Sequence, residues 1–371
     1  MGISPAEVKQ RLRRFAETEA AGVSPLYEHL AARAAEDDDI AGLLTAAPPT
    51  EARAVLLLAV AHRLVQADPI HPLSRYYPSL GGFDGVDGQT WPLFRQFLLD
   101  RADRVRELVA SRYTQTNEVR RAALVFPAVA AAAGQARGPI GLLEVGCSAG
   151  LLLGLDRYSY RYQCDGGEQL TAGPGKAAVG LHCALERAQG AVLPKLPKRL
   201  AVGARVGLDR SPVDLADEDE LAWLEACVWA DQPDRIRLLR TAAAAQAKNP
   251  PELVEGDAVD DLAAAAARIP AELPLVVLTS HTLAYLEPQR RAEFVGRLRA
   301  LAAQRPLWWV SEESYGVGLR YVLPGRDELD FAGSGMSTLG LVRWDDGVAR
   351  VRVLARTAPY GQRMTWLPEH P

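Results

Sequence analysis

Ile140-Gly-Leu-Leu-Glu144-Val-Gly146-Cys147-Ser148-Ala149-Gly150 is an apolar run that ends on an acid and then breaks into small residues. A short continuous apolar run is the pattern of a parallel strand buried on both faces. The residues from Gly146 to Gly150 carry little side chain before Leu151-Leu152-Leu153 begins a helix, so the strand feeds a tight turn whose backbone a ligand can approach. A dinucleotide-binding turn would need glycines at positions 146, 148 and 151, where the chain has Gly146, Ser148 and Leu151. That reading fails at two of three positions.

Working outward, strands are predicted near 140–145, 203–208, 252–255, 273–279 and 306–312, separated by helical patterns at 217–229, 232–247, 258–268 and 288–303. Strand and helix in alternation predict a doubly wound, mostly parallel sheet. Two alternating runs follow, Ser337 to Trp344 and Val348 to Thr357, flanking Asp345-Asp346-Gly347, a hairpin turn sequence.

The first turn resembles the opening motif of class I S-adenosylmethionine (SAM)-dependent methyltransferases, acid-x-Gly-x-Gly-x-Gly, through Glu144, Gly146 and Gly150, with Ser148 in place of the middle glycine. The resemblance implies a seven-stranded Rossmann-like sheet with a C-terminal antiparallel hairpin, SAM as cofactor and S-adenosylhomocysteine as product. It places Glu144, Gly146, Cys147, Ser148 and Gly150 against the cofactor. It also places Asp209 and Arg210, at the end of the second strand, by the ribose, and Gly256, Asp257 and Ala258 by the adenine. Thr279 and Ser280 would line the pocket around the methyl group, with Tyr285 on the substrate side. The plainer alternative makes Asp209 the cap of a following turn. The cluster Tyr113 to Arg121 precedes the first core strand, where such enzymes hold the amino-acid end of SAM. Gln115, Asn117, Glu118 and Arg121 are its candidates, Gln115 also serving substrate; the plain alternative is a helix start capped by Thr116 or Asn117.

Residues 1–135 read as a helical lobe on the substrate or lid side, and 136–371 as the methyltransferase-like core with an insertion at about 157–200. Ser4, Pro5 and Glu7 form a helix-start signature. Helices are predicted from Ser24-Pro25, over Ala52 to Gln66, and over Trp91 to Ser111. Between the last two lies Asp68 to Gly82, rich in Pro, Gly and Tyr, which offers His71, Tyr76 and Tyr77 as binding residues or forms a packing loop in which His71 satisfies a carbonyl. In the insertion, Arg157 to Tyr162 alternates like an edge strand, with Tyr158 a substrate candidate. The segment reads as a small hairpin over the pocket or as an oligomer contact.

Transfer from SAM needs a base only for a protonated nucleophile. His281 is the first choice, with Glu312, Glu313 and His71 as rivals, although a lone His after a strand is more often structural. The formal charge of −4 over 371 residues, with no basic tract interleaved with aromatics, does not indicate nucleic acid. A small-molecule substrate is the default. Four cysteines without a C-x-x-C pair, and no adjacent His and carboxylate set, predict no metal. No apolar run approaches a membrane span and the start lacks a leader pattern, so the cytoplasm is the expected compartment.

Several stretches together make the chain similar to an uncharacterised bacterial family known as domain of unknown function 2332. They are His71-Pro-Leu with Arg75 to Gly82, Gln115-Thr-Asn-Glu118-Val, Leu143 to Gly150, Leu155 to Tyr158, Gly207 to Asp214, and Trp229 with Asp231 to Arg235. That family supplies no activity. Three expectations therefore stand: a small-molecule SAM-dependent methyltransferase, an enzyme using another part of SAM, or a non-catalytic ligand sensor or interaction protein on the same sheet.

Overall fold

The structure, a computed structural model, describes residues 2–368 and divides into two compact units. One comprises the chain up to Thr116 together with Leu215–Arg240; the other comprises Asn117–Asp214 and the chain from Thr241 on. The sequence pattern drew a single boundary near 135.

The first unit is helical. Helix α1 (Pro5–Phe15) starts with the predicted reciprocal cap between Ser4 and Glu7 and buries Val8, Leu12 and Phe15. Helices α2 (Pro25–Ala34), α3 (Asp38–Leu44) and α4 (Ala54–Ala67) follow. The pattern missed α3, whose acidic start resembles a turn but is capped by Asp37, which accepts the N–H groups of Asp39 and Ile40 at 3.0 Å. The single helix expected over Trp91 to Ser111 is two, α5 (Thr90–Leu99) and α6 (Ala102–Ser111). Arg101 leaves helical geometry between them (φ −119°, ψ 24°), and Asp68 holds its guanidinium at 2.6 Å. Helix α8 (Glu218–Ala226) and Trp229 belong to this unit's core, the indole lying edge-on to Phe15 at 5.6 Å. The helices at 217–229 and 232–247 therefore do not both cover the sheet. The unit boundary falls inside α9 (Pro233–Gln246).

The second unit is a mixed α/β fold around an eleven-stranded sheet. Its strands are β1 (Ile140–Val145), β2 (Ser159–Cys164), β3 (Gln169–Ala172), β4 (Gly180–Arg187), β5 (Val202–Asp209), β6 (Glu252–Glu255), β7 (Leu275–Ser280), β8 (Leu307–Glu313), β9 (Ser337–Asp345), β10 (Val348–Thr357) and β11 (Arg363–Trp366). Their order is β3-β2-β4-β11-β10-β9-β8-β7-β1-β5-β6. Helices α7 (Ala122–Ala136), α10 (Leu262–Ala267) and α11 (Pro288–Ala302) complete the unit. Strands β5, β1, β7 and β8 run parallel to one another, and β1 and β8 are buried along their whole length, as their apolar runs predict. The hairpin β9–β10 turns on Asp346 (φ 49°) and Gly347 (φ 76°), two positive φ values in a two-residue loop, which match the twist of the flanking strands.

Eleven strands replace the expected seven because the insertion adds β2, β3 and β4 and the chain adds a last strand, β11, after the hairpin. Strand β2 is not an edge: it pairs antiparallel with β3 and parallel with β4, and Tyr160 and Tyr162 alternate into the interior. Strand β4 then pairs parallel with β11. The segment is thus a wing of the sheet and not a separate hairpin.

Candidate functional site

Strands β5 and β6 lie on one side of β1, and the chain then returns to place β7 and β8 on the other. The connections part between β1 and β7, a topological switch point, and the crevice outside the carboxyl ends of the strands at such a point is where open α/β sheets gather ligands. The ends of four parallel strands meet there, carrying Glu144 and Gly146, Asp209, Ser280 to Thr282, and Glu312 with Glu313.

The turn after β1 has positive φ at alternate residues: Gly146 (76°), Ser148 (51°) and Gly150 (67°). Ser148 therefore stands in a left-handed conformation that costs a side-chain-bearing residue about 1 kcal/mol or more. A Cβ on Gly146 would lie 2.2 Å from Thr282 Oγ1, so only glycine fits against the β7 turn. Four of the turn's five amides are engaged within the protein. Those of Gly146 and Cys147 donate to Leu208 O (2.8 and 3.4 Å), that of Gly150 to Cys147 O (2.7 Å), and that of Ser148 to Asp209 Oδ2 (2.8 Å). Asp209 Oδ1 accepts from Ser211 N–H at 2.9 Å. Asp209 thus braces the turn, which is not a phosphate cradle.

Buried acids crowd this edge. Glu144 is 4 % exposed and its Oε2 has no hydrogen-bond partner. Burial and repulsion from Asp209 push its carboxyl well above the usual range, only partly offset by the Leu153 backbone and the charge of Arg121. Glu312 is fully buried and accepts hydrogen bonds from the Ser280 and Thr357 hydroxyls at 2.7 Å, while His281 Nε2 stands 3.3 Å from its Oε1. Burial raises the Glu312 carboxyl, but His281, Arg121 and Ser280 outweigh it and hold it below its ordinary value. Arg121, 8 % exposed, is fixed by Nε donating to Pro359 O at 2.8 Å. Its charge acts on Glu144 and Glu312 alike. His281 has φ 54°, and Ser337 Oγ lies 3.3 Å from its Nε2. Because Ser337 and Glu312 both approach Nε2, this is not the relay of a serine hydrolase, which needs them on opposite ring nitrogens.

A family profile for an "uncharacterized protein conserved in bacteria", domain of unknown function 2332, matches residues 9–366. The chain belongs to this family. No curated protein matches it. The stretches on which the family resemblance rested fall into both units.

In the helical unit, Tyr76 donates to Asp87 at 2.7 Å, and Tyr77 is fully buried beside the His62 ring. His71 Nδ1 caps its own turn by accepting Leu73 N–H at 3.1 Å and packs on Phe97. Gln115 Nε2 reaches the Tyr113 hydroxyl at 3.2 Å. Each of these four candidates has local structural work.

In the α/β unit, Asn117 Nδ2 reaches Cys147 O at 3.5 Å, and Glu118 caps the short helix Val119–Arg121 by accepting Arg120 N–H at 3.1 Å. Burial, with Glu144 and Asp209 nearby, keeps the Cys147 thiol protonated. Asp257 caps a turn through Val259 and Asp260 N–H and pairs with Arg290 at 2.7 Å; Gly256 N–H ties β6 to Asp209 O at 2.9 Å. Thr279 accepts from the Trp309 indole at 3.1 Å. Tyr158 is buried and donates to Leu151 O at 2.6 Å. Arg210 and Tyr285 are exposed, and Ala258 is half-buried.

Sequence reasoning missed Thr282, Ser337 and Thr357. The last two are hydroxyls at buried hairpin positions, and nothing marks them until strand register brings them to β8. Among the described residues no group of three or more His, Cys, Asp or Glu could hold a metal ion, and no helix is long and apolar enough to cross a membrane.

Proposed function

We propose that the α/β unit binds SAM at the crevice beyond β1 and β7 and transfers its methyl group to a small-molecule nucleophile. The observation that carries this is Glu144 Oε2, a buried acceptor without a partner, beside a turn whose Gly146 admits no side chain. The engaged turn amides favour a ligand without phosphates over a dinucleotide. In this reading the central strands and terminal hairpin form a methyltransferase-type sheet. Bound SAM supplies a methyl group already activated by the sulfonium charge. Glu144 would hydrogen-bond the cofactor, the β7 turn would face the methyl, and Arg121 would balance the surrounding acids.

His281 would take the nucleophile's proton. With the ring proton on Nε2, 3.3 Å from Glu312 Oε1, Glu312 would orient the ring and stabilise the charge that forms, leaving Nδ1 for the acceptor. The second reading is a non-catalytic sheet, and it has its own support: both Asp209 oxygens and one Asp257 oxygen already hold backbone N–H groups. Calorimetric titration with SAM, S-adenosylhomocysteine and NAD decides between them. Micromolar binding of either sulfur ligand with NAD silent supports the proposal, and no heat from either leaves the non-catalytic reading.

A further inference from the structure

Glu313 ends β8 at 2 % exposure, and its Oε1 accepts two consecutive amides of the turn leaving β7, Thr282 N–H at 2.9 Å and Leu283 N–H at 3.1 Å. The turn thus held carries three further constraints. His281 adopts its left-handed φ of 54° with its N–H on Glu312 O at 3.0 Å. Thr282 Oγ1 donates to Val145 O at 2.9 Å. The same Thr282 side chain fills the space over Gly146. One carboxylate oxygen on β8 therefore reaches the glycine-rich turn through a single intervening residue.

We propose that Glu313 is a positioning residue: through Thr282 it clasps the His281 turn to the Gly146 turn, so that the two are placed together and released together. That the clasped turns form a SAM site rests on the function proposed above; the clasp itself does not.

The clasp is set by protonation. Burial pushes the Glu313 carboxyl up to about 7, helped by the Glu312 charge and opposed by His281 and by the two amides. These are the charged groups acting on it from β8 and the β7 turn, while β9 presents the uncharged Thr338 opposite. A closed form with a raised carboxyl pKa binds more protons than an open, hydrated one, so raising the pH favours opening. With Oε2 protonated, Oε1 still accepts both amides. Between about pH 4.5 and 7 the closed-to-open ratio should fall by up to tenfold per pH unit, levelling off above the closed-form value.

The test is residue-resolved hydrogen exchange on the full chain between about pH 4.5 and 8, corrected for intrinsic rates. Expected in the native protein is a fall in protection of Thr282 and Leu283 as pH rises from about 4.5 to 7, levelling off above pH 7, with Gly146 and Cys147 falling in parallel. Glu313→Gln keeps a neutral acceptor in the same place and should abolish the fall. Thr282→Val keeps the amide but loses the hydroxyl link, so Thr282 and Leu283 should still respond while Gly146 and Cys147 do not. Protection that tracks pH identically in the native protein and Glu313→Gln overturns the proposal, as does coupling that survives Thr282→Val. Repeating the measurement with saturating SAM separates the two claims. If the clasp responds to pH but SAM adds no protection at either turn, the cofactor reading fails and the clasp stands.

Discussion

His62, fully buried in the helical unit, and Glu144, nearly so in the α/β unit, meet burial in opposite ways. The His62 ring reaches Ala226 O and Val228 O at 3.2 Å through Nδ1 and the Ser79 hydroxyl at 2.7 Å through Nε2, and burial depresses it to about 4. It is neutral and both nitrogens are occupied. Glu144 keeps an oxygen with no partner, and Glu312 and Glu313 crowd the neighbouring edge. Asp231 is the helical unit's closest counterpart, with Oδ2 on Ser24 at 2.6 Å and Oδ1 unpartnered, but it is a single acid and not a cluster. A polar group that is buried, neutral and fully bonded holds a fold together. Acids gathered at one strand edge with capacity left over are a cost that ligand binding can offset.

The sharpest break would come from His281→Asn, which keeps a polar side chain but removes the base; turnover with a protonated acceptor should fall about 10²- to 10⁴-fold while calorimetric SAM affinity is retained. Equal loss in both would make His281 structural, like His62. Next is Gly146→Ala. Left-handed strain and the clash with Thr282 together should cost about 3 kcal/mol, or about a hundredfold in SAM affinity, by titration and thermal melting.

The two units should also respond to pH with opposite sign. His62 has a folded pKa below its unfolded value, so the unfolded chain binds more protons; its contribution is lost as pH falls from 6.5 towards 4, by about 3 kcal/mol. Glu313 has a folded pKa above its unfolded value, so its contribution is lost as pH rises from 4.5 to about 7, by a similar amount of about 3 kcal/mol. Denaturation at pH 5 and pH 8, followed unit by unit by hydrogen exchange, reads both slopes, and Glu313→Gln should flatten only the second.

Glu144→Gln removes an acid whose burial is unfavourable, so stability should hold or rise by about 1 kcal/mol while SAM affinity drops about tenfold. Smallest is Ser148→Gly: relief of left-handed strain is offset by a more flexible unfolded chain, and melting should move by less than about 1 kcal/mol.

The central strands were legible because burial on both faces writes them as uninterrupted apolar runs, and the hairpin because Asp-Asp-Gly interrupts two alternating ones. Other features were not legible, because their meaning depends on partners far away in the chain. The pattern over 217–247 shows amphipathic helices but not which core they join; Trp229 settles that only once it meets Phe15. The tyrosines of 158–162 alternate as an edge strand would, and nothing local reveals that β4 and β11 close over that side. At the site, Glu144, Asp209 and His281 were found from strand ends. Asp209 as a brace, and the Glu313–Thr282 link, required knowing which backbone amides each carboxylate meets.

Among the described residues, the wing formed by β2, β3 and β4 joins the rest of the sheet solely through the pairing of β4 with β11. On a ribosome this orders events in time. The strands from residue 159 onward can pair among themselves and pack on α7 early, but the far edge of β4 has no strand partner until the chain has been made through Trp366, some 180 residues later by sequence. Until then the edges of β4 and β10 both stand open, each a template for another chain. The four residues of β11 therefore set the interval during which a nascent molecule is most prone to aggregate.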